Sequence, residues 1–336
     1  MSESKGRKHK SLSVATYCNI AGLALLFAVE NFAAETNWVA TVLAYAPQQP
    51  FGLLFPILMS WSVATRAWRL LAVNVVGIVL FAVFLLGFNV PCGCVLNTDG
   101  RSLRLVTYNI HHGSRGPDRV ADVIKRLDAD IICLQETNGC GKWPCPVSKI
   151  CGFLPQYHVF HHGQLTVISR LPFLYTKSHC LPSLYGATRE FLEVKISFGG
   201  KPFTVFNVHF HSPAGKGTIG GRKVSLRRYI SVAAELRHTH LTKLIGALRR
   251  TDGAYTIVGD LNTPPTGRFY RAVLGQGVDA FRAAAWGFGY TYTSELPLVR
   301  IDHIIVSPNI KVIACRTISC SASDHRLVLA DLVPGN

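Results

Sequence analysis

Charge is scarce in the first 90 residues of this 336-residue chain. Residues 11–29 and 70–90 contain no Asp, Glu, Lys or Arg, which excludes an ordinary water-exposed surface for both stretches. The sequence also lacks internal repeats and low-complexity tracts, which excludes a repeat architecture. The shortage of charge ends near residue 95, where we divide the chain into an apolar N-terminal part and a globular C-terminal part.

The N-terminal part contains three hydrophobic stretches, at residues 11–34, 38–63 and 70–90. A helix of about 20 apolar residues can cross a bilayer, so we predict a membrane domain at residues 11–92 with three transmembrane helices. Two prolines at residues 47–50 interrupt the second stretch, which favours a kinked span; a re-entrant segment is the alternative. A cleavable signal peptide is not favoured, because the first stretch is too long and has no clear cleavage site.

Basic residues at the ends of these stretches predict the orientation of the chain. They precede the first stretch or separate the second from the third: Lys5, Arg7, Lys8, Lys10, Arg66 and Arg69. Because such residues concentrate on the cytoplasmic side, three spans place residues 1–10 in the cytoplasm and the domain at residues 100–334 outside. We therefore expect a multi-pass plasma or inner membrane protein with a periplasmic or extracellular domain. If the second stretch does not cross, that domain is cytoplasmic.

The ten cysteines give an independent indication of the compartment. Cys18 lies in the first hydrophobic stretch and Cys133 in the apolar run IICL. The other cysteines lie mostly in loop-like sequence: Cys92, Cys94, Cys140, Cys145, Cys151, Cys180, Cys315 and Cys320. Their even number predicts disulfides in an exported domain, although the sequence does not give the pairing. A local zinc site is the alternative for the cysteines between residues 140 and 151, but the paired histidines that such sites often use are lacking.

The C-terminal part is strongly basic. The whole chain has 35 Lys and Arg and 19 Asp and Glu, of which residues 1–90 hold 6 and 3. Residues 91–336 therefore have 29 basic and 16 acidic residues, a net charge of +13. A domain this basic suits a polyanion such as nucleic acid, anionic lipid head groups or phosphorylated glycans. Solubility and a general attraction to negative surfaces are the alternative explanation.

Short apolar runs separated by turn residues begin at Leu103. They predict strands at LRLVTYNI, DIICLQE, residues 157–161, 165–169, 190–197 and 203–210, YTIVGDLN, DHIIVS and LVLADL. Apolar residues at helical spacing predict helices at residues 120–127 and 222–249. Mixed strands with few helices indicate an α+β fold, with two sheets packed face to face and helices outside, which is a four-layer α/β/β/α sandwich.

Polar side chains stand where several of these apolar strands end. The set consists of Asn109, Glu136, Asn207, His209, Asp260, Asn262, Asp302, His303, Asp324 and His325. A buried strand does not place such side chains at its end without partners, although any one alone is more often a turn residue or a helix cap. Because six separate segments share this property, we predict that their ends converge on one site.

The motifs that carry these residues resemble those of the endonuclease/exonuclease/phosphatase superfamily. They are, in chain order, TYNIHHG, LQET, NVHFH, GDLNTPP, RIDHIIVS and SDHRLVLADL, and the resemblance covers roughly residues 103–333. The superfamily includes pancreatic DNase, abasic-site endonucleases, neutral sphingomyelinases and inositol polyphosphate phosphatases. The resemblance implies a Mg²⁺-dependent phosphoesterase, with Mn²⁺ as an alternative cofactor.

The resemblance also implies the metal ligands. Glu136 is expected to be the principal carboxylate ligand of Mg²⁺, with Asn109 and Asp324 contributing beside it. Carboxylate and amide oxygens are the ligands that this hard cation prefers.

Catalytic roles follow from the same motifs. Asp260 is expected to orient and deprotonate the attacking water, and Asn262 to hold a phosphate oxygen. His209 and His325 are expected to donate hydrogen bonds to the phosphoryl oxygens as charge builds up in the transition state. Asp302 is expected to pair with His325 and keep its imidazole oriented and cationic.

Further residues are expected to bind the substrate: Asn207, Arg189, Lys216, Arg222 and Arg227. Arg189 falls where relatives often place a phosphate-facing basic residue, and a surface arginine is the alternative. The basic residues after position 212 lie in a glycine-rich loop and a helix start, which predicts an arm that binds phosphates. A solvated loop and helix face explains them equally well.

Two departures from the family pattern bear on the substrate. His111 stands where abasic-site endonucleases have an acidic residue, which argues against intracellular DNA repair. His209 stands where those nucleases have Tyr, as in the sphingomyelinase-like branch, which slightly favours lipids or small phosphodiesters.

Two functions from different classes remain. The first is a phosphoesterase on the outer face of the membrane, whose substrate is nucleic acid or a phospholipid head group. The second is a catalytically silent domain that binds polyanions or anionic lipid. The presence of Glu136, Asp260 and His325 favours the enzyme. The bilayer is the other expected partner, and no protein partner is predicted.

Overall fold

Two six-stranded sheets form the centre of the C-terminal domain in the computed structural model of the chain. The structure describes residues 2–91, 102–139, 144–184, 189–213, 215 and 217–334. We call residues 102–334 the sandwich and residues 2–91 the helical segment.

The first sheet has the strand order β13-β14-β1-β2-β4-β3. Its strands are β1 (Leu103–Asn109), β2 (Ile131–Gln135), β3 (His158–His162), β4 (Leu165–Ser169), β13 (Ile310–Ile318) and β14 (Leu327–Pro334). β1 and β2 are parallel and the other neighbours are antiparallel. Every residue of β2 is buried, because the sheet is covered on both faces.

The second sheet has the order β11-β12-β10-β7-β6-β5. Its strands are β5 (Phe173–Leu181), β6 (Arg189–Phe198), β7 (Lys201–His209), β10 (Ala254–Asp260), β11 (Val278–Asp279) and β12 (Asp302–Val306). β7 and β10 are parallel neighbours in the middle. They approach so closely that a Cβ on Gly259 would lie 2.0 Å from the carbonyl oxygen of Val208, so only glycine fits before Asp260.

Helices cover the outer face of each sheet. The first sheet packs against α5 (Pro117–Leu127) and α6 (Val147–Gly152), and the second against α7 (Leu226–Leu248) and α8 (Gly267–Leu274). Short α9 (Ala280–Ala284) joins the core between the two sheets. The predicted α+β sandwich, with layers α/β/β/α, is therefore confirmed.

Several elements differ from the prediction. The edge strands β5 and β13 were not predicted, because both are partly exposed and mix polar with apolar residues. The long helix begins at Leu226, because the side chain of Ser225 accepts a hydrogen bond from the Arg228 amide and caps it. The residues before that cap form a hairpin of β8 (Thr218–Ile219) and β9 (Arg222–Lys223).

The helical segment contains α1 (Ser2–Ala28), continued by a π-helix at Val29–Ala33, then α2 (Trp38–Tyr45), α3 (Leu54–Ala64) and α4 (Trp68–Phe84). The predicted interruption at residues 47–50 falls between α2 and α3. His9 lies 3.0 Å from the carbonyl oxygen of Thr65, and Asn74 donates to Thr16, so α1, α3 and α4 lie side by side. Contacts to the sandwich come from the opposite end, at Asn31, Tyr45 and Asn89.

The prediction of three transmembrane helices was wrong in number. Among the helices that the structure describes, only Arg7–Ala33 is long and apolar enough to cross a membrane. The other two apolar helices, Gln49–Ala64 and Trp68–Phe84, are shorter. A 17-residue helix spans about 25 Å against roughly 30 Å of bilayer hydrocarbon, so apolar composition alone overestimated the number of spans.

The structure does not support the predicted disulfides. The described cysteines are all free: Cys18, Cys133, Cys145, Cys151, Cys180, Cys315 and Cys320. Cys133 and Cys315 are buried inside the sandwich, where each behaves as a small apolar side chain. Cys92, Cys94 and Cys140 lie outside the described residues.

Candidate active site

The polar strand ends of both sheets meet at one edge of the sandwich. Asn109 ends β1, and Glu136 directly follows the parallel strand β2. In the second sheet, Asp260 is the register partner of both His209 on β7 and Asp302 on β12. Because parallel strands end at the same edge, these side chains face one another across the two sheets.

Asp260 lies at the centre of the site and is almost completely buried. Its Oδ1 accepts the amide of Asn262 at 2.7 Å, and its Oδ2 accepts Nδ2 of Asn109 at 3.1 Å. Burial, followed by the nearby charge of Asp302, raises the pKa of Asp260 to about 7. A carboxyl group with this pKa can both take up and release a proton near neutral pH.

His325 and Asp302 form a buried charge pair beside Asp260. Nδ1 of His325 lies 3.0 Å from Oδ2 of Asp302, and Nε2 lies 3.9 Å from Oδ2 of Asp260. Burial by itself lowers the pKa of His325, but the nearby carboxylates, Asp302 first and then Asp260 and Asp324, together outweigh burial and raise that pKa to about 10. His325 is therefore a cation at neutral pH, with Nε2–H directed to the centre of the site.

His209 is the neutral histidine of the site. Burial, followed by the charge of Arg189, keeps its pKa well below the usual value. Its Nδ1 lies 3.0 Å from Oε1 of Gln164, and its Nε2 lies 3.6 Å from Oδ2 of Asp260. A neutral imidazole carries one proton, so donation from Nε2 to a phosphate requires the Nε2-protonated tautomer. The donor role predicted for His209 stays a prediction.

Glu136 and Asp324 are the partly open carboxylates of the site, with side chains 22% and 25% exposed. Nε2 of His112 lies 3.3 Å from Glu136, and Nδ1 of His111 lies 3.6 Å from Asp324. Asn109 bridges the open and buried parts, because its Nδ2 also donates to Oε1 of Glu136 at 3.0 Å. Two accessible carboxylates beside an amide fit a hydrated divalent cation by their donor chemistry.

Another group of possible ligands is buried. Among the described residues, Asp260, Asp302 and His325 have ligand atoms within 4.8 Å of one another. We interpret them as a hydrogen-bonded acid–histidine pair beside a carboxyl group, because Nδ1 of His325 is already engaged by Asp302.

The remaining predicted residues have mixed placements. Nη1 of Arg189 donates to the carbonyl oxygen of His209 at 3.0 Å, so it supports the end of β7. Asn207 does not reach the mouth of the site: it is completely buried, accepts from Gln135 and donates to two backbone carbonyls. Arg222 on β9 and Arg227 in the first turn of α7 are exposed. Lys216 lies outside the described residues.

Sequence reasoning missed three residues that shape the site. His112 contacts Glu136, and the doubled histidine after TYNI was the available signal. The ring of Tyr292 lies 5.0 Å from that of His325, and no motif marked it. Arg237, in the middle of α7, is only 1% exposed, and no motif marked it.

Arg237 connects the site to the helical segment. Its Nη1 donates to the carbonyl oxygens of His211 at 2.6 Å and Leu261 at 3.2 Å, just beyond the ends of β7 and β10. Its Nη2 donates to the hydroxyl groups of Thr263 and Tyr45, the latter at 3.1 Å. The guanidinium also lies over the Phe269 ring at 4.1 Å. One buried side chain thus joins the loops that follow β7 and β10 to α2.

A four-layer sandwich with this set of carboxylates, amides and histidines at one edge defines a class of phosphoester hydrolases. The family model described as Endonuclease/Exonuclease/phosphatase family matches residues 106–325, and the chain belongs to this family. The members of this superfamily are hydrolases that act on phosphoesters.

Solved structures of similar fold agree with this assignment. An endonuclease/exonuclease/phosphatase from Beutenbergia cavernae is 22% identical, with 70% of this chain and 72% of that chain covered and a TM-score of 0.55. A mannosyl-6-phosphatase from Bacteroides thetaiotaomicron is 20% identical, with coverages of 69% and 100% and a TM-score of 0.52. The 3′ phosphatase NExo from Neisseria, bound to product DNA hairpin, is 18% identical, with coverages of 69% and 99% and a TM-score of 0.51. At these identities the likeness shows the fold alone. No curated protein matches the chain.

Proposed function

We propose that the chain is a Mg²⁺-dependent phosphodiesterase that uses an activated water and is held at a membrane by its helical segment. The observation that carries the proposal is the position of Asp260, a buried carboxyl group with a pKa raised to about 7, between the His325–Asp302 pair and the open carboxylates. A catalytically silent domain is not favoured, because it would need no such group.

Glu136, Asp324 and Asn109 would hold the cation, and Mn²⁺ suits the same oxygen ligands. When bound, the cation neutralises charge on the phosphate and orients it. In the structure, Nδ2 of Asn109 faces Glu136 and its Oδ1 accepts from the His111 amide. To serve as a ligand, Asn109 would have to turn this amide so that its oxygen faces the cation.

Asp260 is the proposed general base. Its Oδ1 is fixed by the Asn262 amide, so Oδ2 takes the proton of the attacking water. Nδ2 of Asn262 donates one hydrogen bond to the carbonyl oxygen of Phe210, and its second N–H can donate to a phosphate oxygen. The φ of Asn262 is +47°, which costs about 1 kcal/mol and is held by these bonds.

His325 is the proposed cation that stabilises the transition state. Its Nε2–H donates to a phosphoryl oxygen as negative charge builds up there, and it costs little reorganisation because Asp302 fixes the ring in advance. Asp302 acts through His325 and is a positioning residue.

The helical segment supports a membrane location. Most of the exposed large apolar side chains of the described residues lie in it, and Arg7–Ala33 can span a bilayer. Its basic residues from Arg7 to Lys10 and at Arg66 and Arg69 lie at the end away from the sandwich. The one helix that can span, Arg7–Ala33, has these basic residues at its N-terminal end and contacts the sandwich near its other end, at Asn31. We therefore propose that residues 1–10 are cytoplasmic, residues 11–92 form the membrane domain, and residues 100–334 form a catalytic domain on the outer face.

The test is hydrolysis by the full-length protein in lipid nanodiscs with Mg²⁺. The substrates are bis(p-nitrophenyl) phosphate, a DNA hairpin and an RNA hairpin, each repeated with EDTA. We expect EDTA to abolish hydrolysis and Asp260→Asn to lower kcat by about 10⁴-fold. The matched control is Asp252→Asn, an exposed carboxyl group before β10, which should keep full activity. Hydrolysis that survives both EDTA and Asp260→Asn would refute the proposed mechanism.

A further inference from the structure

Residues 291–299 form a loop that packs against the site at His325, and we call it the rim loop. Its Tyr292 ring packs 5.0 Å from that of His325. The amide of Ser294 donates to the carbonyl oxygen of Asp324 at 2.6 Å, and the hydroxyl of Ser294 donates to the carbonyl oxygen of Ser323 at 2.8 Å. The rim loop is therefore fixed to the segment that carries a proposed metal ligand and the catalytic histidine.

The same loop contacts the helical segment. Nε2 of Gln49, between α2 and α3, donates to the carbonyl oxygen of Leu298 at 2.8 Å. Beside it, Asn89 exchanges backbone hydrogen bonds with Gly287 at 2.8 and 3.0 Å. The Phe88 ring lies 5.6 Å from the Trp286 ring. The wall of the mouth and the sandwich-side end of the helical segment thus form one continuous packed surface.

This surface exposes large apolar side chains, together with the charged Glu295 of the rim loop, which pairs with Arg115 at 2.8 Å. Leu296 in the rim loop and Trp286, which packs against Phe88 of the helical segment, are each 68% exposed. Across the Gln49–Leu298 bond, the helical segment exposes Phe51 and Leu53. Exposed tryptophan and leucine side chains are costly in water, and tryptophan favours the level of the lipid head groups.

The position of this surface determines the level of the mouth of the site relative to the bilayer. If the helical segment lies in a bilayer, its sandwich-side end lies at the head-group level, and the rim loop lies beside it. The phosphates of the lipids occupy the same level. The net charge of +13 on residues 91–336 attracts an anionic lipid surface and strengthens this arrangement.

We propose that the substrate is a phosphodiester in the head group of a lipid of the same bilayer that holds the helical segment. The proposal rests on the phosphodiesterase function proposed above and names its substrate class. The oxygen of water forms a bond to phosphorus and gives one proton to Asp260. One phosphorus–oxygen ester bond breaks, its electron pair stays with the departing oxygen, and that oxygen takes up a proton. No oxidant or reductant is required.

The test compares lipids in vesicles with the same phosphodiesters in solution. Full-length protein is reconstituted in vesicles of phosphatidylcholine, phosphatidylethanolamine, phosphatidylglycerol and sphingomyelin with Mg²⁺. Mass spectrometry detects both products of each lipid. Separate reactions contain the glycerophosphodiesters of the same head groups without acyl chains, bis(p-nitrophenyl) phosphate and a DNA hairpin. At equal phosphodiester concentration, we expect at least one vesicle lipid to be hydrolysed at least about tenfold faster than any soluble compound.

A rim variant adds a second readout. Leu296→Ser removes an apolar side chain from the membrane level, and we expect the ratio of the vesicle rate to the soluble rate to fall by about threefold to tenfold. Leu174→Ser is the matched control, because Leu174 is also exposed but lies on β5, at the edge of the second sheet opposite to β11 and β12. That variant should keep the wild-type ratio.

The outcomes separate this inference from the function on which it rests. Equal or faster hydrolysis of the soluble compounds or of DNA would overturn the lipid substrate and leave the phosphodiesterase intact. An unchanged rate ratio in Leu296→Ser would overturn the role of the rim loop. Failure to hydrolyse every phosphodiester, with or without acyl chains, would overturn both proposals.

Discussion

Asp260, Asp302 and His325 are buried, whereas Glu136 and Asp324 are partly open to solvent, and Asn109 joins the two halves of the site. In the buried half, neighbouring charges and lost water determine each charge state: the pKa of Asp260 rises to about 7 and that of His325 to about 10. In the open half, solvent can reach both carboxylates, so a hydrated cation can enter. The comparison supports the proposal that the buried half transfers the proton and the open half binds the metal.

The largest effect that would test this division is expected in the buried half. His325→Gln keeps a side chain of similar size that can still meet Asp302, but it removes the positive charge beside Asp260. We expect kcat for the best phosphodiester to fall by about 10³-fold, with KM changed by less than about threefold, because the charge acts mainly in the transition state. Steady-state kinetics at saturating Mg²⁺ measure this.

The control for that variant is His158→Gln, which changes an exposed histidine on β3 and should keep wild-type kinetics. Residual activity above about one tenth of wild type in His325→Gln would show that the buried cation is not needed. The buried half would then be only a structural ion pair.

A smaller effect, of a different kind, is expected in the open half. Glu136→Gln keeps the hydrogen-bonding capacity of the side chain but removes its charge. We expect the Mg²⁺ concentration for half-maximal activity to rise by about 10-fold to 100-fold, with much of kcat recovered at high Mg²⁺. Titration of activity with Mg²⁺ tests the first part, and calorimetric binding of Mg²⁺ gives a readout that does not need activity. A fall in kcat with no change in Mg²⁺ dependence would contradict the division.

The smallest effect is expected outside both halves. Tyr45 donates to Glu35 at 2.7 Å and accepts from Arg237 at 3.1 Å, so Tyr45→Phe removes one hydrogen bond within the helical segment and one between that segment and the sandwich. We expect a loss of about 1–2 kcal/mol of stability, a Tm lower by roughly 2–8 °C, and activity within about threefold of wild type. Tyr175→Phe, on the exposed strand β5, is the control and should leave Tm unchanged. An unchanged Tm in Tyr45→Phe would show that these bonds do not stabilise the docked helical segment.

The central strands and their polar ends could be predicted because each is a local signal. LVTYN, IICLQE and TIVGDLN are apolar runs long enough to be buried, and the polar residue after each run stands out against them. The edge strands β5 and β13 have no such contrast, since one face of each is exposed. Their place in the fold depends on the neighbour with which they pair.

The roles of Arg237, Tyr292 and Asn207 could not be predicted, because they depend on contacts distant in sequence. Arg237 follows the basic start of α7, so the sequence pattern gives no sign that it is buried. In the structure, α2 and the loops after β7 and β10 cover it. Asn207 lies on the same strand and the same face as His209, but two residues further from the end of the strand. Its side chain therefore forms hydrogen bonds inside the sandwich, to Gln135 and Leu134. Membrane spans were overestimated for a related reason, since composition does not reveal where a helix ends.

Hydrogen bonds at Asn31, Tyr45, Gln49 and Asn89 join the helical segment to well-separated parts of the sandwich. A rigid body that is held at three points not on one line can neither tilt nor rotate. In a bilayer, the sandwich would therefore keep one fixed angle to the membrane plane, unlike a domain on a flexible linker, which samples every orientation. Its search for substrate would become two-dimensional: lateral diffusion alone would carry lipids past a mouth that always faces them.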